Sequence, residues 1–196
     1  MIKGLTDYHD FKSNLNQDSP SIKKIKVQTI NSSMNPLTAS YWIEHLNLQP
    51  HPEGGYYREV FRSPQEVVRN QSSTVRQACT SIYYLLSGAD YSGFHRIASD
   101  EIWYFHKGEP LLLHVIDQNG IYGKFELADL ETGSLSIAIK AGCWFAAEIP
   151  SKDGYTLASC AVAPGFEFSE FEMAKEANLI ELYPSHSLLF NRLCRE

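Results

Sequence analysis

The chain has 196 residues, of which 43% are hydrophobic and 12% aromatic, enough for one globular domain with a sizeable core. The formal net charge is −6, and no block of lysines and arginines follows the short basic run at residues 23–26, so we exclude a general binder of nucleic-acid polymers. No apolar run approaches the ~20 residues that span a bilayer and residues 1–14 lack a secretory h-region, so we expect a cytoplasmic protein without a membrane partner.

The N-terminal third divides into an extension and the start of a domain. Residues 1–33 are polar and lack a strong period, so we interpret them as an N-terminal extension to a domain at 34–196. Residues 22–30 alternate between apolar and polar side chains, which predicts one edge strand within the extension. Residues 36–48 predict a short helix, because Pro36 suits a first turn and apolar residues recur at helical spacing.

The middle of the chain is rich in strand signals. Short runs of β-branched and aromatic residues alternate with breaks at Gly, Asp, Asn or Ser, which predicts strands. The predicted strands cover residues 56–62, 78–86, 92–97, 101–106, 111–116, 122–127, 134–139, 144–148 and 156–162. Many short strands at this spacing favour a sandwich or a barrel.

The C-terminal part predicts two helices, and the cysteines predict no disulfide. Ser169 and Glu172 have the spacing of a capping box at the start of a helix, and Pro184 opens a last short helix. The four cysteines are widely spaced without a CxxC pair, and three lie in apolar strand-like runs. Buried, reduced thiols are therefore expected.

Five sequence blocks together resemble one family. They are HPEGGYYRE at 51–59, SIYYLL at 81–86, FHR at 94–96 with DEIWYF at 100–105, AGCW at 141–144, and VAPGFEF at 162–168. Over residues 36–192 the chain resembles the cupin-5 family of RmlC-like cupins. The resemblance implies an all-β fold, a double-stranded β-helix (jelly-roll cupin) with a few flanking short helices, and a homodimer. It implies no established reaction, because the fold alone does not define the chemistry.

The cupin metal ligands are only partly present in this sequence. A metal-binding cupin has two histidines two residues apart, then a glutamate, and a fourth histidine ligand in its second motif. His95 and Glu101 match the first and third positions, but Ile97 and Phe145 replace the second and fourth. A transition metal usually has at least three protein ligands, so His51 or His114 would have to complete a site. We expect no cofactor and little bound metal.

His95 and Glu101 are the predicted catalytic residues. Strand alternation places Glu101, Trp103 and Phe105 on one face, which lines the barrel interior in a jelly roll of this type. A histidine beside a carboxylate in a partly apolar cavity is suited to act as a general base. We therefore expect His95 and Glu101 within hydrogen-bonding reach, directly or through one water.

Ligand-binding residues are predicted around this pair. Gly54 and Gly55 favour a tight turn, and the alternative interpretation of their block places neighbouring polar side chains at the barrel mouth against a polar ligand. Aromatic residues wall the cavity in the same hypothesis, where a planar ligand can stack. The predicted ligand-binding residues are Glu53, Tyr57, Arg58, Trp103, Phe105, Phe145 and Glu167.

Four functions remain open on the sequence. The first is a small-molecule-binding protein with a largely metal-free aromatic cavity for a nucleotide- or sugar-like ligand. The second is an isomerase or epimerase with His95 as general base, and the third a metal-dependent cupin enzyme with a reduced ligand set. The fourth is a non-catalytic structural dimer. The residues at positions 97 and 145 favour the first two over the third.

Overall fold

The computed structural model describes residues 37–69 and 73–195. The predicted edge strand at 22–30 and the boundary between residues 33 and 34 lie outside this part of the chain. Its helices are α1 (Ala39–His45), α2 (Glu176–Leu182) and α3 (Ser187–Leu193). Its strands are β1 (Gln49–Pro50), β2 (Tyr56–Arg62), β3 (Glu66–Val68), β4 (Val75–Gln77), β5 (Thr80–Ser87), β6 (Tyr91–Ile97), β7 (Asp100–Gly108), β8 (Leu111–Ile116), β9 (Tyr122–Leu127), β10 (Ser136–Ile139), β11 (Trp144–Glu148), β12 (Tyr155–Ala163) and β13 (Phe171–Met173).

Two antiparallel sheets form the jelly roll. The first sheet has the order β1-β2-β5-β12-β7-β10, the second has the order β13-β6-β11-β8-β9, and β3 and β4 form a separate hairpin. The main core cluster joins inward side chains of both sheets, among them Tyr84 and Trp103 from the first sheet and Leu113 and Phe145 from the second. The fold is therefore the predicted cupin barrel, and four of the nine predicted strands agree with the structure residue for residue.

The C-terminal helices cover the outer face of the second sheet. Phe190 and Leu193 of α3 and Leu179 of α2 pack with Phe94 and Trp144 of the sheet in a second buried cluster. On the opposite side of the molecule, α1 packs on the first sheet in a third cluster. No helix in the two described stretches is long and apolar enough to cross a membrane.

The predicted capping box at Ser169 and Glu172 is wrong. Ser169 lies in a 3₁₀ turn, Phe168–Glu170, and the next residues form β13, which pairs with β6. The side chain of Glu172 pairs with Arg96 at 2.7 Å, so it does not cap a helix. Edge pairing with β6 outweighs the local helix signal, and α2 starts later, at Glu176.

Candidate functional site

A cavity of about 150 Å³ lies between the two sheets at one end of the barrel. Its floor includes Tyr84, Trp103 and Cys160, each 1% exposed, whereas Phe168 at its mouth is 52% exposed. The lining also includes the predicted residues His95, Glu101, Glu53, Tyr57 and Glu167. The barrel therefore brings together six of the nine predicted site residues, counting Trp103, around one space.

The pairing register of β7 and β12 determines how deep each β7 side chain lies. Glu101 is paired with Val162 on the neighbouring strand, and Trp103 is paired with Cys160. These four residues line the cavity. Phe105 is one inward position further along β7, level with Ala158. It packs against the main core cluster and is not part of the cavity lining.

A tight turn before β2 directs Glu53 into the barrel. The turn is closed by the His51 N–H, which donates to the Gly55 carbonyl, and by the Gly54 N–H, which donates to the His51 carbonyl, both at 3.0 Å. Gly54 and Gly55 have φ values of +114° and +68°, a region of backbone conformation that residues other than glycine rarely adopt. The Gly93 N–H holds the Glu53 carbonyl at 2.8 Å, so the turn is fixed to β6. The block therefore forms the predicted tight turn, and it directs Glu53 to a buried position in the cavity lining and not to the mouth.

His95 pairs with Glu53. Its Nε2 lies 3.1 Å from Glu53 Oε2, and its Nδ1 lies 2.7 Å from the Gly93 carbonyl oxygen. Because a carbonyl only accepts, Nδ1 carries the ring proton in this contact, and the other ring nitrogen faces the Glu53 carboxyl group. Glu53 Oε1 accepts from the Ser92 hydroxyl at 3.0 Å. The His95 lone pair required of a general base is thus engaged with Glu53.

The expected hydrogen bond between His95 and Glu101 is not among the contacts within residues 37–69 and 73–195. Glu101 is 7% exposed and lies within hydrogen-bonding reach of the Cys160 thiol. Burial, and then the negative charge of Glu53, raise the pKa of Glu101 from 4.5 to about 8. Glu101 is therefore a neutral acid at pH 7, and the cavity contains a proton donor apart from the His95–Glu53 pair.

His51 is a neutral member of the site that the predicted set omitted. Burial lowers its pKa, an effect partly offset by Glu53 and increased by His95. Its Nδ1 accepts from the backbone N–H of Glu53 at 3.3 Å, which leaves the ring proton on Nε2. The ring meets Tyr57 edge-on, with centroids 4.5 Å apart. The HPEGG block contained this residue, but only the closed turn shows that it faces the cavity.

Phe145 and Arg58 lie outside the cavity lining. Phe145 is fully buried, and its ring centroid is 4.0 Å from that of His95, so it supports the imidazole from behind. Arg58 is level with Tyr83 of β5, and alternation along β2 turns it away from the face that carries the lining residues Tyr57 and Glu59.

The mouth has charged and aromatic side chains. Arg62 is held by two carboxylates, Glu59 and Glu167, each with an N···O distance of 2.8 Å. Phe166, Phe168 and Phe171 also line the cavity. They come from the VAPGFEF block and the residues after it, and their position depends on β13, which the sequence did not predict.

The residues of the cavity do not fit the metal centre of the wider cupin fold. Within residues 37–69 and 73–195 no three His, Cys, Asp or Glu side chains are arranged to hold a metal ion. The position of the second histidine is occupied by Ile97, which lines the cavity, and His95 Nε2 faces Glu53. His114 lies elsewhere, bonded to Tyr122 at 2.8 Å and Glu148 at 3.0 Å.

Comparisons with known proteins agree with this architecture. A hypothetical protein from Leishmania major has a solved structure that is 37% identical, with a TM-score of 0.75, and covers 81% of this chain and 99% of its own. A crystal structure from Shewanella oneidensis is 35% identical with a TM-score of 0.73, and covers 81% of this chain and 98% of its own.

A curated relative and a family profile match the same region. The uncharacterised protein YML079W of Saccharomyces cerevisiae is 29% identical over an alignment 155 residues long, which covers 71% of this chain and 77% of that protein. The profile of a family described as cupin superfamily (DUF985) matches residues 40–174. The chain belongs to this family, Cupin_5 of the cupin superfamily.

Proposed function

We propose that this cupin binds a neutral, polar ring compound of the sugar or nucleobase class in its barrel cavity. The observation that carries the proposal is a group of buried polar side chains that face one enclosed space. His95 and Glu53 are 2% and 5% exposed, Glu101 is 7% exposed, and all three line the cavity. Cavities with few polar groups on an aromatic surface are typical ligand sites.

The size of the cavity supports a ligand with a single ring. Its volume of about 150 Å³ is similar to that of an engineered protein cavity that binds benzene. Aromatic side chains at the mouth offer faces on which a flat ring or the apolar face of a sugar packs. A base or a sugar ring therefore fits inside, whereas a complete nucleotide would extend out of the mouth.

The charges of the lining argue against a phosphate-bearing ligand. Four carboxyl groups line the cavity and its mouth, those of Glu53, Glu59, Glu101 and Glu167. The guanidinium of Arg62 is already paired with two of them. An anionic ligand would have to displace these partners, so the neutral sugar-like form of the ligand is favoured over the nucleotide.

The same geometry favours acid–base isomerisation or epimerisation as a second function. Glu101 is a neutral acid, while His95 and Glu53 form a close pair in the same cavity. Since His95 Nε2 faces Glu53, the proton acceptor would be the Glu53 carboxylate, with His95 as its hydrogen-bonding partner. Two groups with different proton affinities in one cavity are the usual arrangement for such chemistry.

A homodimer in the cytoplasm is part of this proposal. All four cysteines are free thiols, as expected in a reducing compartment. Most of β2 has no neighbouring strand on one side within residues 37–69 and 73–195, and this edge and the exposed apolar side chains beside it support self-association.

A thermal-shift screen tests the binding function. Neutral monosaccharides, lactones and nucleobases are added to the wild-type protein, to His95→Ala and to His106→Ala. His106 is exposed and bonds to Ser159 at 2.9 Å outside the cavity, so it is the matched control. We expect a rise in Tm with at least one neutral ring compound, kept by the control and lost in His95→Ala. A compound that raises Tm equally in all three proteins would contradict the proposal that it binds beside His95.

A further inference from the structure

One cavity-lining residue has a buried donor without an acceptor within the described residues, the indole Nε1–H of Trp103. The side chain is 1% exposed and forms part of the cavity lining. Trp42, by contrast, donates its indole N–H to the Tyr155 hydroxyl at 2.9 Å. Buried polar groups without a partner are rare in native proteins, because burial removes their water without replacing it.

The neighbours of Trp103 do not satisfy this donor. The Tyr84 ring meets the indole edge-on with centroids 5.2 Å apart, but its hydroxyl donates to the Gly54 carbonyl at 2.7 Å. The thiol of Cys160, level with Trp103 on the next strand, is within hydrogen-bonding reach of Glu101. The indole N–H thus has no partner among the described residues, and Trp103 lines the cavity.

We infer that Trp103 determines specificity: its indole N–H binds the carbonyl oxygen of a neutral cyclic ketone, lactone or lactam, with the Glu101 carboxyl as a neighbouring donor. This inference rests on the proposed function and names the ligand class. Trp103 and Glu101 are two residues apart on the same face of β7, about 7 Å along the strand, a distance that a six-membered ring bridges. A carboxylate or phosphate ligand would instead bring its negative charge into the cavity that the Glu53 carboxylate lines.

NMR of ¹⁵N-labelled protein tests this, because each tryptophan gives one indole N–H signal. The probes are tetrahydropyran-4-one, tetrahydropyran, which lacks the carbonyl, and tetrahydropyran-4-carboxylate, which is anionic. The Trp103 signal is assigned from Trp103→Phe and, independently, by elimination from Trp42→Phe and Trp144→Phe, so the test survives if one variant does not fold. Methyl signals of Ile97 report occupation of the cavity without reference to the donor.

The expected result is a downfield shift of the Trp103 indole N–H with the ketone, while the Trp42 and Trp144 signals stay unchanged. Tetrahydropyran and the carboxylate should bind to the wild-type protein about tenfold more weakly than tetrahydropyran-4-one does. Tetrahydropyran-4-one should bind to Trp103→Phe about tenfold more weakly than to the wild-type protein. If ketone and ether move the Ile97 signals equally and the Trp103 N–H stays unchanged, the inference is wrong and the proposed function stands. Equal binding of the carboxylate would also overturn the inference. If no probe moves the Ile97 signals, this inference is wrong, and the thermal-shift screen decides the proposed function separately.

Discussion

At the residue scale, the two interior carboxyl groups differ in what surrounds them. Glu53 contacts the Ser92 hydroxyl and His95 Nε2, whereas Glu101 has the Cys160 thiol and is otherwise enclosed by the barrel. A carboxyl group that is buried beside another carboxylate keeps its proton to a higher pH. Glutamate thus has two roles in the same cavity: Glu53 is a hydrogen-bonding partner of His95, and Glu101 is a neutral acid.

The raised pKa of Glu101 makes the stability of the protein depend on pH. Between its ordinary value of 4.5 and about 8, the folded state holds a proton that the unfolded state has released. Stability therefore falls as pH rises through this window and levels off above it. Glu101→Gln has no proton to lose, so its free energy of unfolding relative to wild type should rise by about 3 kcal/mol from pH 5 to pH 8.

Urea denaturation at pH 5, 6.5 and 8 measures this difference. Glu172→Gln is the control, because that exposed carboxylate pairs with Arg96 at the surface and should leave the pH dependence close to that of wild type. Parallel curves for wild type and Glu101→Gln would show that Glu101 titrates normally.

The sequence predicted the inward direction of His95 and Glu101 but not their partners. Alternation along a strand is a local property, so positions 95, 101 and 103 could be placed from the cupin spacing. The contact between His95 and Glu53 depends on how the turn at residues 51–55 docks on β6, which involves residues 40 positions apart. The sequence therefore did not predict that the direct partner of His95 is Glu53.

At the element scale, the turn before β2 positions the site, and Gly54 is its most constrained residue. A Cβ at Gly54 would lie 2.1 Å from the Tyr91 carbonyl oxygen, at a φ of +114°. Gly88 also has a positive φ, +58°, but the nearest atom to a Cβ there is 4.0 Å away. Substitution at Gly88 therefore adds backbone strain alone, whereas substitution at Gly54 adds backbone strain and a steric clash.

Gly54→Ala should therefore destabilise the protein by about 3 kcal/mol or more, against about 1 kcal/mol for Gly88→Ala. Because the turn carries Glu53, only Gly54→Ala should also abolish the thermal shift given by a ligand. Chemical denaturation and the ligand screen measure the two effects. An equal loss of unfolding free energy at the two glycines would mean that β6 shifts to make room for the added methyl group at residue 54.

Strands with a clear alternating pattern were predictable, and those formed by edge pairing were not. Residues 56–62 and 111–116 have strand-forming composition along their whole length and agree with β2 and β8. β13 has only three residues, and its sequence fits a helix start better than a strand. Its conformation comes from the edge of β6, which no local pattern encodes.

At the scale of the whole molecule, the first sheet ends in an edge that the described residues leave uncovered. β1 pairs only with Tyr56 and Tyr57 of β2, so the rest of β2 has no neighbour on that side within the part of the chain that the structure describes. Val60 and Phe61 of this strand are 43% and 51% exposed, and Val68 of the adjoining hairpin is 61% exposed. Such an edge favours association with a second copy.

We therefore expect the protein to be a dimer, with a mass twice the 22.2 kDa of one chain. Phe61→Glu should shift it to monomers, because a charge at the interface opposes association, while Ile121→Glu should not. Ile121 is 67% exposed and precedes β9 at the far edge of the second sheet, so it controls for the added charge. Light scattering at micromolar concentration measures the mass. A monomeric wild-type protein, or a dimer unaffected by Phe61→Glu, would refute this interface.

The pairing of His95 with Glu53 affects how this barrel can exchange one chemistry for another during evolution. A histidine regained at position 97 would meet a His95 whose Nε2 is already occupied, so the single substitution adds a buried polar group without creating a metal site. Removal of Glu53 alone would leave His95 buried without its partner. Conversion to a metalloenzyme thus requires coordinated changes in two distant segments, and we expect each single change to lower the stability of the fold.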